Sequence, residues 1–241
     1  MDAGGTELAS KAAGVLGRLR ADIVALRLAP GAKLALKPLA LRYGCGMTPL
    51  REALCQLVGS GLVLLESQRG FRVAEVSAAD LEHVVAVRRH LELYAADLAV
   101  SKGERRWRRR LEAAVAQFSR VAAKAGDPRP IDAEWDAIHR HYHFCLTDAW
   151  SSLAMLQLFE QLYDKFDRYR RIAIPAQAYM AVPARDHRQL TEAALAGDRI
   201  RTRELLGRHI DDIVEAMRQS AGALTSDLPA AVTSRASSRS H

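Results

Sequence analysis

Between Met47 and Val73 the hydrophobic period changes from that of a helix to that of a strand, and this change constrains the fold more than any other feature of the chain. Leu50, Ala53, Leu54, Leu57 and Val58 recur at spacings of three and four, so they share one buried helical face and leave Thr48 and Arg51 on the opposite side. Thr48 and Pro49 suit a helix start, because a hydroxyl can cap a free N–H and proline fixes a helical φ where no donor is needed. After Gly61, the runs Leu62 to Leu65 and Phe71 to Val73 are β-prone and are separated by Glu66 to Gly70, which predicts a hairpin with the glycine in its turn. Upstream, Val15, Leu16, Leu19, Ile23 and Leu26 predict an amphipathic helix ending near Ala29 to Gly31, and Leu39, Ala40, Leu41 and Tyr43 a shorter one. Three helices and a hairpin within residues 1–76 make a winged helix-turn-helix. Its third helix offers a short, polar, basic face to the major groove of DNA, with Arg51 as the side chain suited to a base edge.

Charge is consistent with a polyanionic partner. The 241 residues carry a formal net charge of +7, and residues 1–76 hold ten Lys and Arg against six Asp and Glu. The 49% hydrophobic content suffices for two packed cores. Three cysteines, Cys45, Cys55 and Cys145, lie in apolar helical patterns and read as reduced thiols of a cytoplasmic protein. No apolar run approaches the ~20 residues of a membrane span, and the first residues lack a signal-peptide core.

From Ala78 to about Ser220 the period is helical throughout, with breaks at Ser101 to Glu104, Gly126 to Pro130, Ser151-Ser152, Ile174-Pro175 and Gly197-Asp198. These predict an all-α bundle of six helices over residues 77–221, followed by a disordered tail over 222–241 rich in Ser, Ala and Arg. Val84, Val87, Leu91, Tyr94, Ala95 and Leu98 are the expected apolar face of the bundle's first helix. His139 and His143, four apart, project from one face a turn apart, which is a chelating spacing. His187 and His209 fall on later helices whose apolar residues face the same interior. The spacing alone is equally compatible with solvated histidines, the reading given to His83, His90 and His141. The arginines from Arg105 to Arg110 read as a solvated helix start.

The motifs in both halves resemble one family, the GntR transcriptional regulators. Pro30-Gly31, Leu34, Leu39-Ala40, Thr48 to Leu54, Gly61 to Val63 and Gly70-Phe71 stand where that family has P-G, a leucine-led helix, S-R-T-P-V-R-E-A-L, G-L-V and R-G-F-V. The resemblance implies that Lys37, Met47, Thr48, Pro49, Arg51, Arg69 and Gly70 form the DNA-binding set, with Lys37 and Arg69-Gly70 at phosphates or the minor groove. Gly46 and Met47 replace the family's serine and arginine, so Met47 offers only apolar contact there.

The second half is similar to the FCD effector-binding domain of the FadR-type branch. Val87-Arg88, Leu91-Glu92, Tyr142-His143, Leu146, Asp186-His187, Gly197-Asp198 and His209 carry that similarity. It implies a divalent metal held by an acid and three histidines, beside a small organic acid. Here His139 stands at the acid's place and Ala149-Trp150-Ser151 at the S-G-N break. Four imidazoles, His139, His143, His187 and His209, suit Zn or Ni better than Mg or Ca. Arg88 has a family place from which a guanidinium could fork onto an effector carboxylate; a buried helix pair of Arg88 with Glu92 is the alternative.

The expectation is a cytoplasmic, ligand-responsive transcription regulator, a repressor acting as a homodimer on double-stranded operator DNA, controlled by a small carboxylate metabolite and without enzymatic activity. Two alternatives stand beside it. A constitutive DNA-binding dimer would use its bundle only to dimerise. A metalloenzyme would need a general base that His139-Arg140-His141-Tyr142-His143 does not supply.

Overall fold

The computed structural model describes residues 3–124, 133–173 and 184–227. Nine α-helices and a three-stranded antiparallel sheet are present among them. The chain divides into two compact units, broadly the first eighty residues and the helical remainder.

In the first unit α1 (Ala3–Val24), α2 (Leu36–Tyr43) and α3 (Met47–Gly59) pack over a sheet of β1 (Lys33–Leu34), β2 (Val63–Glu66) and β3 (Gly70–Val73), in strand order β1-β3-β2. Val15, Leu19, Ile23, Leu50, Leu54, Leu57 and Phe71 are buried together, so the period read between Met47 and Val73 is the period of the core. Glu66 pairs with Gly70, so the glycine expected in the turn opens β3 instead and the wing tip is Ser67 to Arg69.

Three details depart from the sequence reading. β1 adds a third strand, with Lys33 opposite Arg72 and Leu34 opposite Phe71; two residues are too few to show a period. α1 stops at Val24, because Leu26 takes a left-handed φ of 61° that no helix continues. Leu41 is 85% exposed, α2 being only two turns long and burying Leu39 and Tyr43 instead.

The α2–α3 connection is fixed by Gly44, at φ 60°. The Cys45 N–H reaches the Ala40 carbonyl at 3.0 Å and the Gly44 N–H reaches Leu41 at 3.2 Å, a Schellman ending that halts α2 and lets α3 begin three residues later.

Among the described residues the second unit holds α4 (Ala78–Lys102), α5 (Arg105–Lys124), α6 (Ala133–Leu146), α7 (Leu153–Ala173), α8 (Ala184–Ala196) and α9 (Arg199–Asp227), all helical as expected. Its main core joins Trp107, Leu111, Tyr142, Leu146, Leu190, Leu206 and Ile210. The Trp107 indole N–H donates to the Cys145 carbonyl at 3.0 Å, so burying that donor costs little. The α8–α9 break has a Schellman ending at Gly197, and the Asp198 carboxylate then accepts from the Arg201 N–H at 2.9 Å. α9 continues to Asp227, past the start expected for a disordered tail. Residues 228–241, and the breaks expected at Gly126 to Pro130 and Ile174-Pro175, lie outside the described residues.

The first helix of this unit differs most from expectation. Val84 and Ala95 are buried, but Val87 is 56% and Tyr94 60% exposed, while Arg88 and Glu92 occupy the interior. Apolar residues run around most of α4, so periodicity alone misassigned which of them face the core. Cys55 is exposed on α3 rather than within an apolar face, Cys45 is half-buried and Cys145 is buried.

Candidate functional site

α3 presents its N-terminal turns to solvent as the sequence implied. Met47, Thr48 and Arg51 are exposed, as are Lys37 at the start of α2 and Arg69 and Gly70 in the wing. Pro49 is buried, so it serves to start α3 rather than to touch a partner. The N-cap position is Gly46 and no side chain caps the helix, which leaves free N–H groups at the end of α3, a favourable place for a phosphate oxygen. Behind this surface lies a charged network that the sequence did not reveal. Asp22, largely buried on α1, accepts from Tyr43 Oη at 2.6 Å, from Arg27 at 2.6 Å and from Arg42 at 2.9 Å. Burial alone would raise its pKa, but the Tyr43 and Arg27 hydrogen bonds and the two guanidinium charges hold it below the usual carboxylate range. Tyr43, for its part, is pushed up to about 12 by burial and by the Asp22 carboxylate. This pins α1 to the end of α2 next to the Gly44 turn.

In the helical unit the four predicted histidines meet. His139 and His143 come from α6, His187 from α8 and His209 from α9; all are buried, and each offers a ligand atom within 4.8 Å of the others. His139 Nε2 lies 3.1 Å from His187 Nε2 and 3.2 Å from His143 Nε2. With metal–nitrogen bonds of 2.0–2.1 Å, neighbouring ligands stand about 2.9 Å apart in an octahedron and about 3.4 Å in a tetrahedron, so these separations are those of a coordination shell. His209 Nε2 is buried without a hydrogen-bond partner, as a lone pair reserved for an ion would be. Burial first, and then the mutual repulsion of the ring charges, hold His139 and His209 well below the ordinary histidine pKa, so both are neutral and able to donate to a metal. The residues therefore fit a divalent transition metal with nitrogen preference.

The position where the resemblance implied an acid is held by His139, and the ring turns inward. Trp135, one turn earlier on α6, stacks on it at 4.7 Å and 15°, and Phe118 of α5 packs against His187 at 4.4 Å. Tyr142 donates to the His187 carbonyl at 3.0 Å and so ties α6 to α8. Trp150, in a short 3-10 turn, has ring contacts with Phe144 and His141 rather than with the cluster, so the altered break lies beside the pocket and not in it.

Arg88 faces the bundle interior, where its Nε–H donates to Oε1 of the chain's own Glu92 at 2.5 Å. Its guanidinium carbon lies 4.2 Å from the Tyr163 ring centre and 4.1 Å from that of Phe166. Glu92 Oε2 in turn stands 3.6 Å from His143 Nδ1. Burial would raise the Glu92 pKa; Arg88 and His143 outweigh it and hold the carboxyl at about 2. Tyr163, Phe166, Trp135 and Phe118 were not singled out from the sequence, whereas the buried Arg88–Glu92 helix pair is the alternative that the sequence offered for Arg88. For Trp135 the available signal was the i, i+4 step to His139. His83, His90 and His141 are exposed, as expected.

The model of the bacterial regulatory proteins of the gntR family matches residues 11–73, and that of the FCD domain matches residues 83–212. The chain belongs to the GntR family. The HTH-type transcriptional regulator BphR of Paraburkholderia xenovorans is 36% identical over 207 residues, covering 84% of this chain and 83% of that protein. The HTH-type transcriptional repressor GlaR of Escherichia coli is 32% identical over 206 residues, covering 84% and 93%. The solved structure of E. coli McbR/YncC shares the fold with a TM-score of 0.71 at 24% identity, over 87% of this chain and 97% of that one. As a GntR regulator with an FCD domain the chain is a DNA-binding transcription regulator and not an enzyme. No helix among the described residues is long and apolar enough to cross a membrane.

Proposed function

We propose that this GntR regulator is a cytoplasmic, homodimeric repressor whose hold on operator DNA is set by a small organic acid bound at a metal in the FCD domain. The single observation that carries the reading is the cluster of four buried histidines, whose ligand atoms lie within 4.8 Å of one another, with 3.1 and 3.2 Å from His139 to His187 and His143, in a chain that also presents a winged helix. Residues 1–76 are the DNA-reading domain and 77–221 the sensing domain. Four neutral nitrogens favour Zn or Ni, and they leave the ion's +2 charge uncompensated by any ligand, which favours an anionic effector. An effector carboxylate takes a position that the four histidines leave open. Repression follows the printed role of GlaR, a relative over most of both chains.

Arg51 supplies the base-edge contact; Thr48, Lys37 and Arg69-Gly70 supply backbone contacts, and Met47 an apolar one. The dimer is supported by the outer face of α4, where exposed Ala86, Val87, His90 and Tyr94 and half-buried Leu91 form a stripe along two turns with no Lys, Arg, Asp or Glu in it. A second copy laid antiparallel against that stripe places the same residues on both sides, as a two-fold axis requires.

The test is an electrophoretic mobility shift on the DNA upstream of its own coding sequence, with zinc-loaded and chelator-treated protein, across a panel of carboxylic acids. At least one acid is expected to release the zinc-loaded protein by several-fold to about a hundredfold, a coupling of ~1 to 3 kcal/mol, and to do nothing without metal. Operator binding indifferent to metal and to every acid sinks the sensing half of the reading, and favours a constitutive dimer.

A further inference from the structure

The four histidines need an orienting group, because an imidazole offers a lone pair from only one nitrogen and the other must carry the proton. Among the described residues two buried polar atoms face one another without any other hydrogen-bond partner: Glu92 Oε2, an acceptor, and His143 Nδ1, which can be a donor. They are 3.6 Å apart, and the side chains are 1% and 0% exposed. That separation exceeds a made hydrogen bond by roughly half an ångström, a distance that a small ring rotation closes. The opposite nitrogen of the same ring, His143 Nε2, is the one that stands 3.2 Å from His139 Nε2, inside the cluster.

We infer that Glu92 is the positioning residue of the metal centre: its Oε2 accepts a hydrogen bond from the Nδ1–H of His143, fixes the tautomer whose Nε2 lone pair faces the ion, and is itself held in place by Arg88. This rests on the metal-sensing reading above. The lock is built from two elements. Arg88 binds the other carboxylate oxygen of Glu92 from one turn earlier on α4, and its guanidinium is seated against Tyr163 and Phe166 of α7. A guanidinium against aromatic faces, out of water, is both attracted by the rings and unable to swing toward a competing anion. Arg88 thus acts on the ligand set through Glu92. The arrangement also joins α4 and α7 to α6 through a single chain of contacts, Phe166 and Tyr163 to Arg88 to Glu92 to His143. Replacing one link disturbs the metal without touching a ligand, and outer partners of this kind support metal affinity by about tenfold to a hundredfold.

The experiment uses the full chain in three forms: wild type, Glu92→Gln, and Arg88→Met combined with Glu92→Leu, which removes both buried charges together so that neither is stranded. Long-range proton–nitrogen NMR of the metal-free wild type is expected to show His143 protonated at Nδ1. Competition for zinc against a chromophoric chelator is expected to show affinity lower by about tenfold in Glu92→Gln and by up to a hundredfold in the double variant, with the helical signal and a cooperative melt retained in the metal-free state. If the double variant does not fold, Glu92→Gln and the tautomer decide. A His143 ring protonated at Nε2 in the wild type overturns the inference, as does zinc affinity within twofold of wild type in a folded variant. Wild-type protein that takes up no zinc overturns the metal reading first and this inference with it, so the two failures are told apart by the wild-type titration.

Discussion

Asp22 shows how one buried carboxylate governs the rigidity of the DNA-reading unit. Its charge is worth burying only because Tyr43, Arg27 and Arg42 converge on it, and removing the charge leaves those donors turned toward a weaker acceptor. Asp22→Asn is expected to destabilise this unit by about 2 kcal/mol in denaturant unfolding at neutral pH. The sign with pH follows from the depressed pKa. The stabilisation is complete above the unfolded value of about 4, and it is lost as pH falls below that value and through the lower folded one. Wild type should therefore lose stability on acidification faster than Asp22→Asn, and parallel acid profiles would remove Asp22 from the account. At the DNA surface Arg51→Ala is expected to cost ~1 to 3 kcal/mol on the operator and to relax preference at one base pair, whereas Arg69→Ala should weaken all sequences alike and lower the salt slope by about one. Gel-shift titrations at several salt concentrations separate the two.

The helices differ in how openly their sequence announces them. α3 was legible almost to the residue, because an apolar stripe, a proline start and a glycine end agree, and local propensity and tertiary burial point the same way. α4 was legible as a helix but not in its facing, since it carries an apolar stripe outward at Val87 and Tyr94 and a charged pair inward at Arg88 and Glu92. A rule that places charge outside fails where a site needs charge inside. The histidines behaved similarly: His139 and His143 were visible from a four-residue step, while their meeting with His187 and His209 depends on how α8 and α9 return to α6, which the family resemblance implied and spacing did not. β1 is too short to have a signature at all. Between α2 and α3 the turn rests on Gly44 at φ 60°, with open space where a Cβ would sit. Gly44→Ala therefore meets no clash, only the left-handed backbone cost of about 1 kcal/mol. It is expected to lower the melting stability of the winged helix by that amount and to weaken operator binding, because the same turn sets the angle of α3. Unchanged DNA affinity in this variant would show that the turn angle has slack.

At the level of the whole molecule, the proposed contact set of one winged helix, a single base-reading arginine and a few phosphate contacts, would be too little for a genomic site against a vast excess of other DNA. Two copies on a shared operator add their contacts, provided that a stable interface fixes the heads one or more helical turns apart. The outer stripe Ala86, Val87, His90, Leu91 and Tyr94 is the surface we assign to that interface, and it lies on the same helix whose inner face carries Arg88 and Glu92. On the proposed reading, a shift of α4 caused at the metal would reach the dimer contact without any intermediate element, and an effector would alter the spacing of the heads by that route. Val87→Glu with Tyr94→Glu puts like charges on both sides of a two-fold contact, so these charges oppose association while leaving the four histidines untouched. Sedimentation of this double variant is expected to give a monomer that still takes up zinc, and operator affinity should fall toward that of random duplex. A dimer that survives the substitutions would move the interface elsewhere on the bundle; a monomer that still grips the operator as tightly as wild type would mean that each head reads its half-site alone.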